Sequence, residues 1–233
     1  MVERIRSCIA PGNRIGRLLP FMPNCCSYDE VFSSKVARAD LRRYRRRGLD
    51  PVAGRMVGFL VGAGIEGRSV LEVGGGVGMV HIELLKAGAR SAIGVEMSSG
   101  YEQVAGELLE EEGLSDRVER LVLDFAMSGD RVGGADAVVM NRVICCYPDM
   151  PRLLGAALDK AGRLIAISFP RSRRSVRIGV RLINLVSRLR RTDFRAFVHS
   201  PSDVMRMAQD RGFGAVFDTQ TFAWQGVVFE RSA

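Results

Sequence analysis

Apolar and polar positions change period repeatedly along this chain, and each change marks an element. From Tyr28 up to Gly48 nothing interrupts a helical spacing. Val31, Ala37 and Leu41 form an apolar seam there opposite Arg38, Arg42, Arg45 and Arg46, so one helix is expected. Asp50-Pro51 opens a second helix carrying Val52, Met56, Phe59 and Leu60 at helical intervals. A β-type run over 69–73 then gives way to helix 78–87, closed by Gly88. Three more strands follow at similar spacing: 91–95 ending in Glu96, 118–123 ending in Asp124, and 135–140 ending in Asn141-Arg142. The acidic helix 102–112 separates the first two of these, and helix 149–160 leads to a fifth strand over 163–169. Strands alternating with helices in this way predict a parallel sheet covered on both faces. After Pro170 the alternation pauses. A long helix over 173–191 has Arg174, Arg177, Arg181, Arg188 and Arg191 on one stripe and Ile178, Leu182, Leu185 and Leu189 on another. Helix 201–211 and strands 216–219 and 223–229 finish the chain.

Composition narrows the class. With 233 residues, 47% hydrophobic and 26% charged, the chain has the make-up of one globular domain with a small cap. No apolar run reaches the roughly 18 residues of a membrane span, and no secretory signal is seen. Residues 1–26 read as a variable, poorly ordered extension, 27–62 as a helical cap, and 63–233 as the core with an insert at 171–199. The five cysteines, Cys8, Cys25, Cys26, Cys145 and Cys146, are odd in number and form no Cys-x-x-Cys pair, which favours a reducing cytoplasm. Vicinal cysteines lack the usual ligand spacing, so no metal is expected. Zinc would require Cys25-Cys26 to meet Cys145-Cys146. The net charge of +8 is uneven: +7 over residues 1–55, +8 over 170–195 and −7 over the remainder. That asymmetry points to an anionic partner, whether an acidic substrate, a membrane surface or a nucleic acid.

The chemistry centres on Val70-Leu71-Glu72-Val73-Gly74-Gly75-Gly76-Val77-Gly78, a strand, a bare turn and a helix start. Gly-x-Gly-x-x-Gly fails in both registers, because Met79 and His81 stand where the third glycine belongs. Glu72 would repel a pyrophosphate, but not a ligand carrying a sulfonium and an ammonium. The stretch resembles motif I of the class I S-adenosylmethionine (SAM) methyltransferases. That resemblance implies a seven-stranded, mostly parallel Rossmann-like sheet with a terminal antiparallel hairpin and helices on both faces. It also implies SAM as cofactor, with S-adenosylhomocysteine (SAH) as product. The positions that carry it over are Glu72, Val73, Gly74, Gly75, Gly76 and Gly78 at the turn, and Glu96 and Met97 for the ribose. Asp124 and Phe125 follow for the adenine, and Asn141 and Arg142 beside the methionyl end.

Residues 28–231 further resemble the magnesium-protoporphyrin IX O-methyltransferases and their actinobacterial-type relatives. The matching stretches are Val143-Ile144-Cys145-Cys146-Tyr147-Pro148, Leu164–Pro170, Phe197-Val198-His199 and Thr221-Phe222-Ala223-Trp224-Gln225. Two positions depart from that group. Cys146 stands where those enzymes have His, and their Tyr-Phe segment is here Tyr28-Asp29-Glu30-Val31-Phe32. Methyl transfer is an in-line displacement dominated by positioning, with a base needed only when the acceptor must lose a proton. Tyr147, Cys146 and His199 are the catalytic candidates, and His199 reads equally as a structural donor. The expectation is a SAM-dependent O-methyltransferase acting on an apolar or acidic small molecule. The insert would form a lid whose apolar side lines the substrate cavity; a peripheral membrane contact through 173–191 is the other reading. DNA is not an expected partner, and the state is monomer or homodimer. The alternatives left open are an RNA methyltransferase using the basic patches, and a non-catalytic SAM-binding scaffold.

Overall fold

The structure, a computed structural model, describes Asp29 and residues 31–192 and 194–232. The N-terminal extension, Cys8, Cys25 and Cys26 lie outside these residues.

Seven strands form one sheet: β1 (Ser69–Val73), β2 (Ser91–Glu96), β3 (Val118–Val122), β4 (Ala135–Asn141), β5 (Ala161–Pro170), β6 (Phe213–Gln220) and β7 (Trp224–Arg231). Their order is β3-β2-β1-β4-β5-β7-β6. The first five run parallel, and β7 joins β5 and β6 antiparallel. The parallel sheet and closing hairpin expected from the sequence are present.

Side chains of successive strand residues leave the sheet on opposite faces. Val70, Ala137, Val139, Leu164 and Ala166 therefore enter one core, and Leu71, Val73, Val138, Met140, Ile165 and Ile167 enter the other. The first core is covered by α1 (Ser34–Arg47), α2 (Pro51–Gly62), α3 (Met79–Lys86) and α4 (Glu102–Glu111). The second is covered by α5 (Phe125–Ser128), α6 (Met150–Lys160) and α8 (Pro201–Gln209). Between them in sequence lies α7 (Arg174–Leu189), of which no residue is buried.

The helix expected over 28–48 is regular only from Ser34, because Ser33 is extended (φ −79°, ψ 168°). That break has a structural use. The Ser98 hydroxyl donates to Asp29 at 2.6 Å and to the Phe32 carbonyl at 2.7 Å, stitching the segment before α1 across the carboxyl end of β2. β6 begins at Phe213, three residues earlier than its apolar pattern suggests. Gly214 and a register shift between Ala215 and Phe217 obscure the alternation there.

Candidate functional site

In an open parallel sheet, the point where strand order reverses leaves a crevice at the carboxyl ends. Here β1 is flanked by β2 and β4, so the residues after these three strands face a common space. Two adjoining clefts occupy it, sharing Phe32, Gly74, Gly76, Tyr101 and Arg142.

The turn after β1 is built for close approach. Gly74, Gly76 and Gly78 have φ of 65°, 58° and 87°, where a Cβ is strained. Gly75 has ordinary φ, but its Cβ would stand 2.6 Å from the Glu72 Cδ. Beneath the turn, the buried Glu72 carboxylate accepts from the His81 backbone N–H at 3.0 Å and lies 2.6 Å from its Nδ1. His81 is itself fully buried, and its Nε2 has no hydrogen-bond partner among the described residues. Arg120, from β3, donates to the Gly76 carbonyl at 2.9 Å and to Glu102 at 2.6 Å. The turn is thus held from below by a Glu–His pair and from the side by a guanidinium.

The first cleft runs over the ends of β2 and β3. Glu96 accepts from Gly76 N–H at 2.9 Å through one oxygen, and from Met97 and Ser98 N–H at 2.8 and 3.1 Å through the other. Burial raises its pKa above the usual carboxylate value, against the pull of those three N–H groups and of Arg120. Because Glu96 also lines the cleft, lone pairs not used by the backbone are available to hydroxyl donors. Further along lie Met97, Leu123, Phe125 and Leu153, an apolar slot with Asp124 at its edge. Asp124 caps α5 by accepting from Ala126 N–H at 3.0 Å. It also accepts from the Tyr147 hydroxyl at 3.0 and 3.1 Å.

The second cleft lies between the helical cap and the turn. Asp50 accepts from Val52 and Ala53 N–H at the start of α2, and from the Asn141 amide at 3.1 Å. It also pairs with Arg142 at 3.1 Å. Ser168 on β5 completes the network, donating to Asn141 Oδ1 at 2.6 Å and accepting from Arg142 N–H at 2.9 Å. Arg142 has φ of 61°, uncommon for a residue with a side chain, and these contacts hold it there. Its guanidinium lies 4.4 Å from the Trp224 ring centroid, and its Nε is buried without a partner among the described residues.

Of the residues expected to hold a cofactor, Val73, Glu96, Met97, Asp124 and Phe125 line the first cleft, and Glu72, Gly75 and Asn141 the second. Gly74, Gly76 and Arg142 line both, whereas Gly78 lines neither and starts α3. The catalytic candidates separate. Cys146 and Tyr147 line the first cleft, with the Tyr147 hydroxyl committed to Asp124. The Cys146 sulfur is 3.6 Å from that of Cys145. The S–H contact between them lowers the Cys146 pKa, while the same contact and burial raise that of Cys145. His199 lines neither cleft; its Nε2 donates to the Ile144 carbonyl at 2.8 Å, and burial pushes its pKa down. No cluster of three or more His, Cys, Asp or Glu suited to a metal occurs among the described residues.

Asp50 reads in the sequence as a helix start and Ser168 and Trp224 fall within matching stretches, but none of these, nor Arg120, was expected at the site. Asp50-Pro51 reads fully as a helix start, and nothing local shows that the same carboxylate also reaches Asn141 and Arg142.

A family model described as a methyltransferase domain matches residues 41–224. The ribosomal protein L11 methyltransferase of Enterobacter sp. (strain 638) is 33% identical over 121 residues, 52% of this chain and 40% of that protein. The chain therefore spans less than half the length of the curated relatives it matches. Among solved structures, the magnesium protoporphyrin IX methyltransferase from Synechocystis PCC 6803 with bound SAH gives a TM-score of 0.71 at 21% identity, covering 90% of this chain and 100% of that one. Its SAM-bound structure gives 0.68 at 20% identity, covering 91% and 99%. At these identities the likeness is one of fold.

Proposed function

Because the chain belongs to the methyltransferase domain family, we propose that it binds SAM along the first cleft and transfers the methyl group to a small molecule held in the second. The observation that carries the reading is Glu96. Its carboxylate pins Gly76 N–H and also lines the cleft, so the turn and the ribose site are one unit. The donor set fits the cofactor along its length. Glu96 meets the ribose hydroxyls, the slot of Met97, Leu123, Phe125 and Leu153 takes the adenine ring, and Asp124 takes its amino group. Gly74 and Gly76 give the methionyl chain access to the backbone where the clefts meet. The buried, unpartnered Nε of Arg142 at that junction supports an anionic group there. In the similar Synechocystis fold SAH and SAM are bound, which adds support.

The acceptor is an apolar or acidic metabolite, methylated at oxygen. SAM supplies an activated methyl group, so this chain has to align the acceptor, exclude water and, for a hydroxyl acceptor, remove one proton. Tyr147 stands with Asp124 at the adenine end of this arrangement and His199 stands outside the clefts, leaving Cys146 as the cleft-lining thiol. A carboxylate acceptor needs no base.

Calorimetric titration with SAM, SAH and NAD tests the reading. SAM and SAH should bind and NAD should not. Glu96→Gln should weaken SAH by roughly 10- to 100-fold, the worth of hydrogen bonds to a charged group. Binding of NAD without SAM would overturn the proposal.

A further inference from the structure

Helix α7 is inverted relative to an ordinary surface helix. Val176, Val180, Asn184 and Ser187 form its half-buried side. Asn184 fixes that side by donating to the Ala196 carbonyl and accepting from its N–H, both at 2.8 Å. At 100° per residue the opposite side carries Ile178, Leu182, Leu185 and Leu189. They are 55, 57, 52 and 74% exposed. Arg174, Arg181 and Arg188 form a row along one edge of this stripe, and all three are exposed. At the amino end, Arg173 lies 5.7 Å from the ring centroid of Phe222, which is itself 68% exposed, so an aromatic ring extends the same surface. None of these residues lines either cleft: the apolar stripe is turned to solvent, away from a substrate cavity.

We infer that this face docks on an anionic lipid surface, lying in the plane of the interface. Charge complementarity selects the occupant. Residues 171–191 hold eight arginines and no acidic residue. A second copy of the face would set arginine row against arginine row with nothing to neutralise it. A nucleic acid would meet the guanidinium row but leave four large aliphatic side chains in water. An anionic bilayer meets both, because the Leu and Ile side chains enter the acyl boundary while the guanidinium groups reach lipid phosphates. No helix among the described residues is long and apolar enough to cross a membrane, so the contact is peripheral.

The test is co-flotation of the full chain with vesicles of phosphatidylcholine containing 30% phosphatidylglycerol, against pure phosphatidylcholine, with no methyl donor present. The outcome therefore stands apart from the SAM reading. Binding should require the anionic lipid and fall as salt rises. Ile178→Ser/Leu182→Ser/Leu185→Ser/Leu189→Ser, with folding checked by circular dichroism and melting temperature, should weaken binding by ~10-fold or more. Arg174→Gln/Arg181→Gln/Arg188→Gln should weaken it on the order of 100-fold at low salt. Failure to float with the anionic vesicles, or unchanged binding of the serine variant, would overturn the inference. So would a dimer that the serine variant abolishes, or tighter binding of a single-stranded oligonucleotide than of the vesicles.

Discussion

Helices α3 and α7 have opposite fates within one sheet. The eight residues of α3 include five that are buried, Val80, His81, Ile82, Leu84 and Leu85. The sixteen of α7 include none, although its apolar and charged residues are more cleanly segregated. Periodicity records that a helix has two unlike faces, but not which one meets the body. For α3 the answer comes from β1 and the glycine turn, which leave no freedom in where the helix starts. For α7 a half-polar inner side with Asn184 bonded to Ala196 seats the helix, and the apolar stripe is left outside.

The difference can be broken most severely at His81. With Glu72 it forms a fully buried pair, so His81→Ala leaves a carboxylate without its partner beneath the turn. A loss of about 3–5 kcal/mol in urea unfolding is expected. The matching change on the outer helix, Arg181→Ala, should stay within about 0.5 kcal/mol, since Arg181 is exposed and has no ion pair among the described residues. Equal losses would show that α3 is not the more deeply anchored helix.

A pair of glycines sharpens the same contrast at smaller scale. A Cβ on Gly78 would overlap the His81 ring, and its φ of 87° is unfavourable to any side chain. Gly78→Ala should therefore cost about 2–4 kcal/mol and weaken SAH binding, because the turn must shift to relieve it. Gly179 in α7 has nothing within 4 Å of where a Cβ would stand. Gly179→Ala should stabilise by about 0.5–1 kcal/mol through helix propensity alone. Denaturation midpoints of the two variants, moving in opposite directions, check both.

The same physics explains what was legible. Glu96, Asp124 and Asn141 could be found because an apolar strand ending in a polar residue is a local pattern, and a parallel sheet gathers such ends by topology. Asp50, Ser168 and Trp224 reach Asn141 or Arg142 from α2, β5 and β7 across many residues of sequence, and no spacing rule links them. Tyr147 was legible as a polar residue beside the fourth strand, but its partner was not. Its hydroxyl turns to Asp124, which the sequence presents as an adenine contact. The arginine stripe was legible as a stripe, and its direction was not.

The smallest effect tests the seam between the two regions. Residues 194–200 connect α7 to the turn after β4, where Phe197 N–H donates to the Cys145 carbonyl at 2.7 Å and His199 donates to Ile144. Burial is the largest influence on His199 and holds its pKa below the ordinary 6.5, against Ile144 and Asp203, which pull it upward. The folded chain therefore resists a proton that the unfolded chain accepts. Stability from this group is complete above pH 6.5 and declines as pH falls through 6.5 towards the lower folded value. His199 is only partly buried, so solvent screens the effect, and a fall of on the order of 1–2 °C in melting temperature between pH 7.5 and pH 5.5 is the expected scale. His199→Asn should lose that part of the pH dependence, with the remaining profile set by the carboxylates. A difference between the wild-type and His199→Asn profiles that instead shows this ring adding stability on acidification would place the imidazolium, not the neutral ring, against the Ile144 carbonyl.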